Sequence, residues 1–572
     1  MPEFAASIAH GLPLSEEPGI GALTIGGYLR ELAARHGPHE AVVLRSGATR
    51  ISWSYDELLA RSMDVARALI ACGMGKDARV GILMTNRPEF LATLFGTALA
   101  GGVPVALSTF STAPELDYML KASQISVLLF EQYVLKADFH RMIAGLEPDI
   151  ATAAPGRLAS ARFPFLQRLV SVAGVPGGSE RLASIEQGAV ERWETFLAHG
   201  RGIADAIVLN RADSVAPGDP GGIFFSSGTT SLPKGIVHAQ RAFAIQWWRW
   251  PRVFCMPEPV RSWTSNGFFW SGNVSMVVGT ALSTGGAVIL QRYFDAEEAL
   301  DLFEQEQPSF INGRPHQWVK LKGAANWAKA DLSSLKYVPR GEMIWEHPTV
   351  DTQWDVPMAF GTTETMTVCT GFTADTSKEF YNGSFGGPHP GNVLKIVDQP
   401  TGEVLPMGST GELCVKGPTL MMSYLGKTPE ECFDQDGFYR TGDCGRLDAE
   451  GRFYWEGRLT EMIKTGGANV APMEVDDVIA RFPGVKRSQT LGVPDELLGE
   501  MVVSCVVPAD GATLSESEIA AFVKQEVASF KVPRRVLFFT DSDYALTGNE
   551  KIKTSDLRKI AVKRLEREKA HG

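Results

Sequence analysis

Runs of aliphatic residues alternate with segments of helical period along the first two-thirds of the chain, and this alternation restricts the fold more than any other feature. Residues 41–45 (AVVLR), 79–84 (RVGILM) and 125–132 (ISVLLFEQ) read as strands. Between the first two, Leu58, Leu59, Val65, Ala66 and Leu69 recur at helical spacing within residues 55–72. Strand–helix–strand order of this kind builds βαβ units around a mostly parallel sheet. The uncharged stretch 90–107 (FLATLFGTALAGGVPVAL) just reaches the length of a membrane span. Gly101-Gly102 ends a helix, however, and Pro104 cannot continue one, so a helix, a glycine turn and a short buried strand are predicted there. From residue 151 to 204 the periodicity weakens and a connecting region is expected. After about Phe385 the short alternating runs 386–398, 411–417 and 451–458, divided by Gly or Pro turns, suggest a small barrel-like β unit. From Glu461 a compact α+β pattern follows, ending in a basic amphipathic helix over residues 555–569.

A chain of 572 residues exceeds one hydrophobic core, so two to four domains or subdomains are expected. Its 55 basic against 66 acidic residues give a net charge of −11, which argues against a nucleic-acid surface. An anionic ligand must therefore be met by a local device. Seven scattered cysteines without CxxC spacing read as free thiols of a reducing cytosol, with Cys444 a small buried filler. Residues 1–17 carry acids and no basic n-region, so no signal peptide is expected and the localisation predicted is cytoplasmic.

The local device is the segment 225–235, FSSGTTSLPKG, which leaves the apolar run GGIFF. Its small residues let backbone N–H groups approach phosphate oxygens, while Ser226, Ser227, Gly228, Thr229, Thr230 and Lys234 supply close approach, hydroxyl donors and charge. The Gly–Lys spacing excludes a Walker loop. This segment closely resembles the phosphate-binding loop of the adenylate-forming superfamily, which comprises acyl- and aryl-CoA synthetases, peptide-synthetase adenylation domains and luciferases. Ser226 and Ser231 stand where that pattern has Thr and Gly.

Further segments follow in that superfamily's order, and the resemblance covers nearly the whole chain. Residues 52–58 (SWSYDEL) resemble an early structural segment, and residues 361–364 (GTTE) resemble the motif that carries an acid for magnesium. The resemblance implies that Glu364 holds Mg²⁺, that Thr363 meets the α-phosphate, and that Phe360, Gly361 and Thr362 line the nucleotide. Gly341 and Glu342 fall at the adenine-binding turn, with Arg340 unusual beside them. Residues 439–443 (YRTGD) match without change, so Asp443 is expected on the ribose, joined there by Arg458. Residues 457–467 resemble the hinge and the loop lining the pantetheine tunnel, which assigns Lys464, Gly466 and Gly467 to coenzyme A; Thr460 stands at the pivot. Lys551 aligns with the lysine that bridges carboxylate and α-phosphate during adenylation, with Glu550 replacing the usual Gly.

The acid pocket is expected between the loop and residues 360–364, lined by Phe269, Trp270, Gly272 and Asn312. Trp270 takes the place of a common His, which favours an apolar or aromatic acyl group. Trp247, Trp248 and Trp250 fit helix packing as well as a pocket. The absence of an Asp in residues 263–272 and of a carrier-attachment motif weighs against a peptide-synthetase domain. The resemblance thus implies an α/β fold: a large N-terminal domain (1–459) of two α/β subdomains and a β-barrel, with a small mobile α+β domain (460–572). It implies an ATP-dependent, AMP-forming carboxylic acid–CoA ligase with ATP, Mg²⁺ and coenzyme A as cofactors. The partners expected are a small-molecule carboxylic acid, no nucleic acid and no transmembrane segment, with a homodimer as the candidate assembly. The alternatives are an acyl-AMP ligase delivering to a carrier protein, or a nucleotide- or acyl-binding relative without catalysis.

Overall fold

The computed structural model describes residues 5–175, 186–226, 233–459, 461–465, 468–495, 497–527, 529–543 and 554–571. The chain divides into two compact units: residues 10–393 with 415–439, and residues 1–9 with 394–414 and 440–572.

The larger unit contains two α/β sheets. One has eight strands in the order Val190–Arg192, Arg168–Val172, Val127–Glu131, Arg79–Leu83, Val103–Ala106, Pro220–Ser226, Lys234–Ala239 and Ser423–Tyr424. Its first six strands run parallel and the last two pairings are antiparallel. The other sheet orders Phe310–Ile311, Arg261–Thr264, Ala287–Leu290, Glu40–Ser46 and Thr49–Ser54. Side chains from both sheets (Val42, Leu44 and Leu290; Val80, Ile82 and Phe224) join one core cluster with the helices Tyr55–Ala71 and Pro88–Leu99. That placement explains the long apolar stretch. A helix packed on several sides reads as uniformly apolar, and every residue of Pro88–Leu99 except Glu89 is buried. The turn follows at Gly101 (φ +81°), then the buried strand Val103–Ala106, as the sequence predicted. No helix among the described residues is long and apolar enough to cross a membrane.

The helix Tyr55–Ala71 begins on a capping box. Glu57 N donates to Ser54 Oγ at 3.2 Å and Ser54 N donates to the Glu57 carboxylate at 2.8 Å. Residues 52–58 therefore have the structural role expected of them. Where a connecting region was expected, residues 151–204 instead contribute two strands, Arg168–Val172 and Val190–Arg192, to the parallel sheet. Strands of five and three residues are too short to show a period between Pro- and Gly-rich turns.

In the smaller unit, the strands Ile8–His10, Val393–Val397, Gly411–Lys416, Tyr439–Leu447 and Phe453–Arg458 form a five-stranded half-barrel sheet. A second sheet orders Ala468–Val470, Ile463–Thr465, Gly499–Pro508 and Val485–Asp495, with Arg535–Phe538 also paired to Gly499–Pro508. Alternation decides which face each side chain serves. Val503, Cys505 and Val507 pack with Leu557, Ala561 and Leu565 of the last helix, Thr554–His571. Val502 and Val506 pack with Val475, Ile479, Ile519 and Val523 of the helices Pro472–Ile479 and Glu516–Glu526. All seven cysteines are free thiols. Burial pushes the Cys444 thiol up to about 11, consistent with an inert filler.

Candidate functional site

The phosphate loop joins two adjacent antiparallel strands. Ser226 at the end of one pairs directly with Lys234 at the start of the next. Ser227, Gly228, Thr229 and Thr230 lie outside the described residues. Beyond Lys234 the strand is buried and carries His238, whose imidazole is fully enclosed between Phe224 and Phe243. Burial pushes this imidazole down to about 4, opposed by the backbone of Thr363. His238 is thus neutral near pH 7, and protonating it must destabilise the fold. Its folded-state pKa lies below the unfolded value, so the stability it contributes is complete above about pH 6.5 and is lost as pH falls towards 4. Asp476, pushed up to about 6 by burial, changes stability with the opposite sign, so the comparison must be with a variant. Denaturation midpoints measured from pH 7 to pH 4 should therefore fall less steeply in His238→Leu than in wild type, by up to ~3 kcal/mol. Parallel curves would show that the imidazole is not buried in its neutral form.

The turn holding Thr363 and Glu364 is tightly specified. Gly361 lies so close to the neighbouring strand that a Cβ would sit 1.8 Å from the Thr367 carbonyl oxygen. Met366 and Thr367 both adopt positive φ, 49° and 82°, a costly pair for residues with side chains. The Thr365 hydroxyl, bonded to Thr362 N and to the carbonyl oxygen of Thr367, closes the turn. Phe360 is buried on the strand that leads into it. Glu364 is fixed at both ends: its carbonyl oxygen accepts from Met421 N at 2.7 Å and its Oε1 accepts from the Tyr424 hydroxyl at 2.8 Å. None of the described residues donates to Oε2. Gly341 takes φ +86° in a turn whose Arg340 is tied to Gln353 and Asp355, which gives that unusual residue a local anchoring role. Burial raises the Glu342 carboxyl above its usual range.

The residues expected to wall the acid pocket belong to the same unit. Phe269 is buried, Trp270 is half-buried beside it at 5.2 Å between ring centroids, and exposed Phe110 meets Phe269 edge-on. Gly272 has only Met276 near its missing Cβ. The Asn312 backbone is held by Trp263. After Gly272 the chain enters a π-helical turn, Asn273–Val278, anchored by Trp247 Nε1 on the Val274 carbonyl and Trp250 Nε1 on Ser275 Oγ. Trp247, Trp248 and Trp250 are all buried in the packing of their own helix, Gln240–Val253.

Asp443 and Arg458 belong to the smaller unit. They are directly paired across two strands, with Arg458 Nε 3.1 Å from Asp443 Oδ1 and Trp455 Nε1 donating to that same oxygen at 2.9 Å. Lys464 is exposed on the strand Ile463–Thr465, and its N–H donates to the Glu500 carboxylate at 2.9 Å. Thr460, Gly466, Gly467, Glu550 and Lys551 lie outside the described residues. The structure thus gathers Ser226, Lys234 and residues 360–364 in one unit and pairs Asp443 with Arg458 in the other. Sequence reasoning missed Tyr424 and Asn86. Asn86 fixes the segment expected to wall the acid pocket, donating to the Asn266 carbonyl and accepting from Phe268 N. Neither residue lies in a segment singled out from the sequence, and both act through contacts distant in sequence.

The model of the AMP-binding enzyme family matches residues 29–425, and that of the AMP-binding enzyme C-terminal domain matches residues 474–551. The chain belongs to the AMP-binding enzyme family. It is 28% identical over 592 aligned positions to a mitochondrial medium-chain acyl-CoA ligase of Danio rerio, covering 99% of this chain and 92% of the relative. It is 29% identical to an indoleacetate–CoA ligase of Aromatoleum aromaticum, covering 89% and 94%. Among solved structures, ATP-bound MatB from Rhodopseudomonas palustris shares the fold with a TM-score of 0.71 at 23% identity, covering 94% of this chain and 99% of the other.

Proposed function

We propose that the chain is an ATP-dependent carboxylic acid–CoA ligase that works through an acyl-adenylate and prefers apolar or aromatic acids. A carboxylate is a poor electrophile with a poor leaving group. Its oxygen attacks the α-phosphorus of ATP, the bond to the β-phosphate bridging oxygen breaks, and pyrophosphate leaves. The sulfur of CoA then attacks the acyl carbon and AMP departs. The observation that carries this reading is the family match together with the Glu364 turn, joined through residues 421–425 to the strand Lys234–Ala239.

Ser226 and Lys234, with residues 227–230, hold the β- and γ-phosphates in this reading, and Thr363 meets the α-phosphate. Glu364 with one carboxylate oxygen engaged suits Mg²⁺, which takes most of its ligands from water and phosphate and needs one or two protein carboxylates. When bound, the ion would neutralise charge on the phosphates. Asp443 and Arg458 receive the ribose. Residues 1–459 act as the adenylation domain and residues 460–572 as a domain that reorients between the half-reactions, presenting Lys551 to the first and residues 464–467 to the second. Support for an apolar acid comes from the Phe269–Trp270 wall and from relatives named for medium-chain and indoleacetate substrates.

Pyrophosphate release across a panel of carboxylic acids, with thioester measured in the presence of CoA, tests the reading. No acid-dependent release overturns it, and release without thioester turns it towards a carrier-protein acceptor. In the same panel, Trp270→Ala should shift preference towards bulkier acids, because each methylene accommodated in an apolar site is worth roughly 1–3 kcal/mol. An unchanged ranking of acids would remove Trp270 from the pocket.

A further inference from the structure

Tyr424 sits where three parts of the adenylation site meet, and no motif marks it. Its two-residue strand Ser423–Tyr424 pairs with the exit strand of the phosphate loop, Tyr424 opposite Ile236. Met422 N donates to Val237 O at 2.7 Å and Leu425 N to Gly235 O at 2.8 Å, while Met421 N donates to the carbonyl of Glu364 itself at 2.7 Å. The same short segment is therefore stitched to the loop on one side and to the metal-site turn on the other. From this platform the Tyr424 hydroxyl reaches Glu364 Oε1 at 2.8 Å and the Tyr439 hydroxyl at 3.0 Å. A phenol has one proton; with Tyr424 giving its own to the carboxylate, Tyr439 donates to Tyr424. The Lys234 ammonium lies 5.6 Å from the centre of the Tyr424 ring.

We infer that Tyr424 is a positioning residue for adenylation, its hydroxyl holding the Glu364 carboxylate by one oxygen so that the other is presented to the divalent cation. This rests on the metal role proposed for Glu364. The chemistry of the donor matters. A Glu side chain has three rotatable bonds, and an arginine or lysine would fix it only by placing a positive charge where the cation must bind. A phenol fixes the carboxylate and leaves its charge intact.

The experiment is a Mg²⁺ titration of pyrophosphate release by wild type, Tyr424→Phe, Glu364→Gln and the double variant, with thioester formation from presynthesised acyl-AMP measured alongside. Tyr424→Phe keeps the ring and loses the hydroxyl. It should raise the half-saturating Mg²⁺ concentration about five- to tenfold, with kcat recovered at high Mg²⁺. Use of acyl-AMP should stay at the wild-type rate, which a general packing defect would not spare. Added to Glu364→Gln, it should change nothing further. If Tyr424→Phe loses activity with an unchanged Mg²⁺ requirement, or if the two substitutions multiply, the inference is overturned while the metal role of Glu364 stands. If Glu364→Gln itself leaves the Mg²⁺ requirement at the wild-type value, the metal role falls and takes the inference with it. Should Tyr424→Phe fail to fold, Tyr439→Phe removes only the donor behind Tyr424 and must shift the Mg²⁺ requirement in the same direction by a smaller factor; no shift overturns the inference.

Discussion

Replacing Lys551 by alanine is expected to slow pyrophosphate release about 10²–10³-fold, the usual effect of removing one charge-stabilising donor at a transition state, while acyl-CoA formation from presynthesised acyl-AMP continues at close to the normal rate. An ammonium is needed while negative charge gathers around the α-phosphate, and that charge has already been released with pyrophosphate when the thiol attacks. Gly466→Leu should give the mirror image, with pyrophosphate released and CoA scarcely consumed, if residues 464–467 serve coenzyme A as proposed. Both effects are read by assaying each half-reaction separately. The split requires residues 460–572 to present different surfaces in two orientations. If both variants lose both half-reactions equally while remaining folded, the alternating arrangement fails. If Lys551→Ala loses neither, Glu550, which stands where the superfamily has glycine, marks a departure from that mechanism.

The elements that the sequence declared best were those whose local chemistry and tertiary role coincide. The helix read over residues 55–72 and the glycine turn at Gly101 each have their cause within a few residues. The two strands in 151–204 were hidden because their burial is supplied by Val127–Glu131 and by each other, not by any period of their own. The same distinction runs through the site. Glu364, Asp443 and the phosphate loop lie in contiguous motifs, so residue type and order were enough to nominate them. Tyr424 meets Glu364 across 60 residues and Asn86 meets Phe268 across 182, distances at which a single sequence carries no pairing signal. The three tryptophans in the helix Gln240–Val253 resolve towards packing because their indole N–H groups are spent on Ala22, Val274 and Ser275.

Removing the charge of Glu131 should cost about 3–5 kcal/mol of stability, the effect of breaking a buried ion pair by removing one partner. Glu131 ends a central strand of the eight-stranded sheet with only 2% of its side chain exposed. Its Oε1 accepts from Arg87 Nη1 at 2.8 Å and from Arg292 Nη2 at 2.7 Å, and its Oε2 accepts from both the N–H and the hydroxyl of Thr85 at 2.6 Å. Burial alone would raise this carboxyl, but Arg87 and Arg292 hold it below its usual range. Arg87 is also bound to Glu89 at 2.8 Å. Glu131→Gln keeps the shape and removes the carboxylate charge that Arg87 and Arg292 share. The loss should appear as a lower urea midpoint in tryptophan fluorescence. Replacing Glu131 and Arg87 together by Leu and Met should cost much less than the two single losses summed. The position of the cluster gives it a second, functional consequence. Asn86 stands between Thr85 and Arg87, and its side chain carries the Asn266 carbonyl and Phe268 N–H of the acid wall. Loosening residues 85–87 should therefore raise KM for the acid more than KM for ATP. A Glu131→Gln protein with an unshifted midpoint would mean that water reaches the cluster and screens it. A lower midpoint with equal changes in both KM values would separate the ion cluster from the acid wall, leaving Asn86 to hold that wall without its support.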